Sequence, residues 1–96
     1  QGPPARLLLA TILTAADGLP RGGTLTIQPQ LNITVEGPTA RLREEAAQAL
    51  TGQTSLSQQS ASTIVPFFAH TLANNLGGKF HIHVENDHQF EIQMVG

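Results

Sequence analysis

Apolar and polar side chains alternate over residues 80–94, FHIHVENDHQFEIQM, which predicts two β-strands joined by a turn. A two-residue turn would place Ile82 opposite the charged Glu91. A three-residue turn at residues 86–88 gives apolar pairs throughout: Val84 with Phe90, Ile82 with Ile92, and Phe80 with Met94. Because only the longer turn keeps one face apolar, the sequence predicts a hairpin of that register with one buried face.

A second alternating stretch lies upstream, at residues 24–36, TLTIQPQLNITVE, with its apolar residues at odd positions. Pro29 has no N–H to give to a sheet, so it marks the turn of this hairpin. A three-residue connection at residues 28–30 predicts two apolar pairs, Ile27 with Leu31 and Leu25 with Ile33.

Three further segments, residues 4–17, 39–50 and 63–76, repeat apolar residues at the helical period. Thr39 is the predicted N-cap of the second helix, and Pro66 fits the first turn of the third. The side chains expected to face inward are Ala5, Leu8, Leu9, Ile12, Leu13 and Ala16; Leu42, Ala46, Ala49 and Leu50; and Val65, Phe68, Ala69, Leu72 and Leu76. Residues 52–62, GQTSLSQQSAS, predict a mobile loop.

The predicted order α-β-β-α-α-β-β indicates an α+β fold. We expect a two-layer sandwich in which helices cover one face of an antiparallel or mixed sheet. The 96 residues suffice for one core, so residues 1–96 are expected to form a single domain. The chain begins with Gln1 and its one methionine is Met94, so we expect it to be part of a longer protein.

Composition excludes several functional classes. Charged residues are 12% of the chain and its formal net charge is −2, which argues against nucleic-acid or anionic-membrane partners. The chain has no cysteine, so disulfides, thiolate metal sites and a cysteine nucleophile are excluded. No apolar run approaches the roughly 18 residues of a membrane span.

The histidines are the first candidates for chemistry. His81 and His83 point to the same side of one predicted strand, with Glu91 opposite His83. Two histidines and a carboxylate can hold a metal ion, but a solvated polar face with a His–Glu pair is the favoured interpretation, and no metal is expected. His70 lies on the outer side of its helix, and His88 lies in the turn.

Some side chains fall off the predicted inward faces. Phe67 and Leu7 are either covered by a neighbouring segment or exposed for a partner. The arginines at positions 21, 41 and 43 are candidates for anionic contacts. Arg43, which precedes two glutamates, is expected to belong to a solvated helix face.

The segments together resemble a known pattern. ARLLLATILTAADGLPRGG at 5–23 resembles the first helix and turn of a GHKL (histidine-kinase-type) ATPase domain, and residues 24–37 resemble its following hairpin. IVPFFAHTLANNLGG at 64–78 resembles the helix after its nucleotide lid. The LPRGG turn, the VEGPTARL stretch and the IVPFF run are more similar still to the C-terminal domain of ChpT-type bacterial histidine phosphotransferases.

The chain departs from the ATPase pattern at each nucleotide-binding element. Thr14 stands where active members have the Mg²⁺-binding asparagine, and a hydroxyl is a poor substitute for an amide carbonyl. Around Glu36 and Gly37, the Asp-x-Gly-x-Gly box keeps one glycine. Serine, glutamine and threonine replace the lid glycines before Ile64. We therefore expect no ATP binding and no cofactor.

The resemblance implies a cytoplasmic, homodimeric phosphotransferase that passes a phosphoryl group between response-regulator receiver domains. Its phosphoacceptor histidine belongs to an N-terminal helical bundle outside this chain, so none of these residues is expected to be catalytic. The chain's role would be to help dock receiver domains and pack on its own bundle, with Leu7, Arg21 and Phe67 as candidate contacts. A functional GHKL ATPase with atypical boxes, or a stand-alone interaction domain of that fold, is the alternative.

Overall fold

A computed structural model describes residues 4–96. Four strands form one antiparallel sheet in the order β1-β2-β4-β3, and three α-helices pack with it. The elements are α1 Ala5–Ala16, β1 Thr24–Gln28, β2 Asn32–Glu36, α2 Glu44–Leu50, a short 3₁₀ helix Leu56–Gln58, α3 Ile64–Asn75, β3 Lys79–Asn86 and β4 Gln89–Val95. The predicted α+β class and element order are confirmed.

The β3–β4 hairpin has the predicted pairs: Val84 with Phe90, Ile82 with Ile92, and Phe80 with Met94. The turn differs in detail, because Asn86 pairs with Gln89 and the register shifts between Val84 and Asn86. A bulge therefore supplies the extra residue that the apolar pairing requires.

The β1–β2 register is two residues away from the prediction. Ile27 pairs with Ile33, so the turn includes Leu31 rather than ending before it. Leu31 has a left-handed φ of 60° and a fully buried side chain. Burying a leucine is worth about 1.5–3 kcal/mol, which offsets the roughly 1–2 kcal/mol of that backbone conformation. A two-residue slip keeps every side chain on its face, so alternation alone could not exclude it.

Helix α1 is rotated from the predicted orientation: Leu8 and Ile12 pack against the core as predicted, but the fully buried face is a different one. Its buried residues are Leu7, Ala10, Thr11, Thr14 and Ala15. The hydroxyls of Thr11 and Thr14 donate to the carbonyls one turn earlier, at 2.7 and 2.8 Å, so burial leaves neither hydroxyl unpaired. Leu9 and Leu13, predicted to face inward, are 57% and 50% exposed.

Helix α3 follows its predicted face more closely, since Ala69 is buried and Val65 and Leu72 pack against the core. It buries Pro66, Ala69 and Ala73, and it leaves Phe68 45% exposed. Small side chains let two helices approach closely, and α1 and α3 contact each other. The helices therefore pack through alanine and threonine, and some of their larger apolar residues remain at the surface.

The segment before α2 is not helical: residues 38–39 form a turn and residues 40–43 have no regular structure. The N-cap of α2 is Arg43, four residues later than the predicted Thr39, whose hydroxyl is buried without a partner. The predicted loop at 52–62 contains the 3₁₀ turn. Across residues 4–96, no helix is both long and apolar enough to cross a membrane.

Candidate functional site

A cavity of about 400 Å³ opens where the three helices converge. It brings Thr14 together with Ser62, two positions at which the family resemblance expects nucleotide contacts in active ATPases. Its lining consists of Leu13, Thr14 and Asp17 of the α1 end, Arg43 and Ala46 around the α2 start, and Ala61, Ser62, Val65 and Pro66 around the α3 start.

Arg43 spans this cavity. Its Nε and Nη2 donate to Asp17 Oδ2 at 3.0 and 2.9 Å, and Nη2 also donates to the Ser62 carbonyl at 2.8 Å. One side chain thus connects the end of α1, the start of α2 and the loop before α3. The prediction that Arg43 belongs to a solvated helix face is wrong, because the residue precedes the helix and its guanidinium points at Asp17.

Several polar groups of the cavity are already engaged with other groups of the chain. The cavity's cation is already paired with Asp17, whose carboxylate would repel phosphate oxygens. The backbone amides at the start of α3 are also occupied, since Thr63 N and Ile64 N both donate to the Ser60 carbonyl. Thr14 donates its hydroxyl to Ala10 O. These particular donors are therefore already engaged within the chain.

The Arg43–Asp17 pair gives a first testable expectation. Both side chains are substantially exposed, so we expect a coupling free energy of about 0.2–1 kcal/mol. A double-mutant cycle with Arg43→Met and Asp17→Asn in urea unfolding measures it. Glu44→Gln, which changes a neighbouring exposed charge, is the matched control and should show no coupling to Asp17. Equal coupling in both cycles would contradict a specific bridge.

Glu36 and Gly37 lie away from the cavity, at the end of β2. Gly37 N donates to His88 O at 2.9 Å, and a Cβ on Gly37 would lie 2.5 Å from Gly22 O. The glycine is thus explained by close backbone packing against the turn at 22–23. The structure gives Glu36 no side-chain partner within residues 4–96.

The histidines remain apart from the cavity lining. His83 pairs with Glu91 across the hairpin as predicted, but its Nε2 lies 3.3 Å from Glu85 Oε1. Glu91 instead accepts hydrogen bonds from Thr34 and Gln93. Within the described part of the chain, no group of three potential ligands is assembled for a metal. The outer sheet face is a polar surface.

His70 has a packing environment of its own. Its ring lies over Gly52, where an added Cβ would be within 2.4 Å of Cε1, and it is tilted against Phe67 at 6.2 Å between centroids. His88 lies in the hairpin turn, with Nδ1 2.9 Å from Pro38 O. These contacts give both rings structural neighbours.

The structure places the three residues predicted as partner contacts in different environments. Leu7 is fully buried in the core, so its assignment as a surface contact is wrong: the α1 face was misplaced. Arg21 is exposed in the turn before β1, and Phe67 is half-buried beside His70. Sequence reasoning missed the exposed apolar residues, because it assigned the larger side chains to the interior.

Residues 1–88 match the family described as "Histidine phosphotransferase C-terminal domain". A solved structure described as "1.7 Angstrom Structure of a Bacterial Phosphotransferase" is similar, with 25% identity, a TM-score of 0.77 and 93% of this chain covered. The match covers 46% of that structure's chain, so the present chain spans about half its length. No curated protein sequence matches.

Proposed function

We propose, since this chain belongs to the histidine phosphotransferase C-terminal domain family, that it is a docking module of a two-component phosphorelay that binds no nucleotide. In this proposal the phosphoacceptor histidine lies outside these residues, on an N-terminal helical bundle that also makes the protein a homodimer. The chain helps hold response-regulator receiver domains near that histidine. The cytoplasmic location and the GHKL ancestry implied by the resemblance belong to the same proposal.

The observation that carries the proposal is an apolar surface on the helix layer. We call it the helix patch and define it as Leu9 and Leu13 of α1 with Ile64 and Phe68 of α3, all exposed. The two helices contact each other, and Leu13 lines the same cavity as Val65, the neighbour of Ile64. Large exposed apolar side chains gathered on adjacent elements are typical of protein interaction sites.

The bridged cavity supports the same conclusion from another direction. Arg43 joins Asp17 and Ser62 directly, which holds the loop before α3 without a ligand. In a nucleotide-binding domain, that loop would be ordered by the phosphates it contacts. A loop fixed by an arginine leaves the adjoining helix surface in one conformation, as a docking surface requires.

We expect Mg-ATP to leave the melting temperature of the chain unchanged in scanning calorimetry, against MgCl₂ alone as control. A ligand at 100 times its dissociation constant adds about 2.7 kcal/mol of stability. For a domain of this size that would raise the melting temperature on the order of 10 °C. A rise of that kind would overturn the nucleotide-free interpretation and favour a functional GHKL ATPase with atypical boxes.

The phosphorelay part of the proposal has a separate test. Determining the coding sequence upstream of residue 1 tests it. We expect a helical hairpin that carries a histidine within roughly 100 residues, an ordinary domain length. The encoded protein should then accept a phosphoryl group from a phosphorylated receiver domain and lose this ability when that histidine is replaced. A reading frame without the hairpin would favour a stand-alone interaction domain.

A further inference from the structure

The side chains of the edge strand β3 are arranged symmetrically, by chemical type, about the middle of the strand. Residues 79–85, KFHIHVE, place a cation and an anion at the ends and Ile82 at the centre. Between them stand an apolar residue and a histidine on each side. Strand β3 is last in the sheet order and pairs only with β4 among residues 4–96, so its other edge is unpaired.

We propose that two copies of this chain associate by antiparallel pairing of their β3 strands about a twofold axis at Ile82. The position opposite each residue is then fixed by symmetry. The pairs are Lys79 with the second copy's Glu85, Phe80 with its Val84, His81 with its His83, and Ile82 with its Ile82. Opposite charges meet at both ends, and apolar residues meet on one face.

Other registers fit less well. An axis between two residues would place apolar side chains opposite polar ones, because a one-residue shift exchanges the faces of a strand. An axis at His81 leaves Val84 and Glu85 unpaired. An axis at His83 requires pairing across the bulge between Val84 and Asn86 and beyond it. The axis at Ile82 keeps its inner pairs within the regular strand at residues 80–84, and its end pair joins Lys79 to Glu85, the bulged residue.

The exposure of β3 agrees with an unoccupied pairing edge. Val84 is 69% exposed, the largest value among the exposed large apolar residues of the described chain. It lines a groove of about 690 Å³ between the hairpin and residues 38–42, together with Ile82 and Phe90. In the proposed pair the second copy's Phe80 stands beside Val84 and shields it from water.

The charged ends are also available. Lys79 is exposed, and its side chain has no hydrogen-bond or ion-pair partner among residues 4–96. Glu85 is exposed, and the one polar contact of its side chain within residues 4–96 joins Oε1 to His83 Nε2 at 3.3 Å. Two short strands bury less than the roughly 1,200 Å² of a standard interface, so the pair should be weak and concentration-dependent. This pairing is independent of any contact through an N-terminal bundle.

Sedimentation velocity of the 96-residue chain over a concentration series tests the proposal. The unaltered chain should associate reversibly to a dimer. Lys79→Glu and Glu85→Lys place like charges at both ends of the pair, so each variant should associate at least about tenfold more weakly. Arg21→Glu, an exposed charge reversal elsewhere, is the matched control and should associate like the unaltered chain.

Mixing the two single variants gives the most specific test of the proposed pairs. In an equimolar mixture, Lys79→Glu chains meet Glu85→Lys chains with opposite charges at both ends, so dimers should return. The double variant should also dimerise with itself. Absence of any concentration-dependent association in the unaltered chain would overturn the proposal. So would single variants that associate normally, or a mixture that stays monomeric.

Discussion

Replacing Leu7 by alanine is expected to lower the free energy of unfolding by about 2–5 kcal/mol. The Leu7 side chain is 0% exposed and belongs to the core cluster with Phe90 and Ile92. Its removal leaves a cavity that the surrounding sheet and helices can fill only in part. The chain has no tryptophan or tyrosine, so urea unfolding is best followed by far-ultraviolet circular dichroism.

Leu9→Ala is the matched control for this prediction. It is the same substitution two residues along the same helix, at a side chain that is 57% exposed, and it should change stability by no more than about 0.5 kcal/mol. Comparable losses at both positions, or a larger loss at Leu9, would contradict the face of α1 that the structure buries. That result would restore the face predicted from the sequence.

Placing a charge in the helix patch should strongly weaken receiver binding if the proposed function is right. Leu13→Glu or Phe68→Glu puts a carboxylate where an apolar contact is expected, and central interface residues contribute 2 kcal/mol or more. Each variant should therefore weaken binding at least about 30-fold. Titration calorimetry with a receiver domain from the organism that encodes the chain measures the change.

Ile27→Glu controls for a general effect of exposed charge. Ile27 lies on β1 at the opposite edge of the sheet order from β3, is also an exposed apolar residue, and lies outside the helix patch. Its variant should bind receiver domains normally. All three variants should also melt within a few degrees of the unaltered chain, since each replaced side chain is about half exposed. Equal loss of binding in all three would contradict a docking site on the helix layer.

The sequence predicts element types well, because alternation and helical periodicity are local signals. It also predicts the β3–β4 pairing, where a wrong turn length would place Glu91 against Ile82. The β1–β2 register could not be predicted, because a two-residue slip leaves every side chain on the same face of the sheet. The observed register goes with the burial of Leu31, a tertiary contact that alternation does not encode.

The buried face of α1 could not be predicted for a related reason. Thr11 and Thr14 look polar in the sequence, but their hydroxyls are satisfied within the helix and can be buried. Larger neighbours such as Leu9 then fall at the surface. The candidate site shows the same limit: Thr14 can be singled out in the sequence, whereas the bridge from Arg43 to Asp17 joins positions 26 residues apart.

Chemical-shift mapping on the isotope-labelled chain tests the central claim most directly, because it monitors the cavity and the helix patch in one experiment. Mg-ATP should leave the resonances of Thr14 and Ser62 in place. A cognate receiver domain, found by titrating those of the same organism, should move Leu13 and Phe68. The claim is contradicted if Mg-ATP shifts the cavity residues while no receiver domain shifts the helix patch.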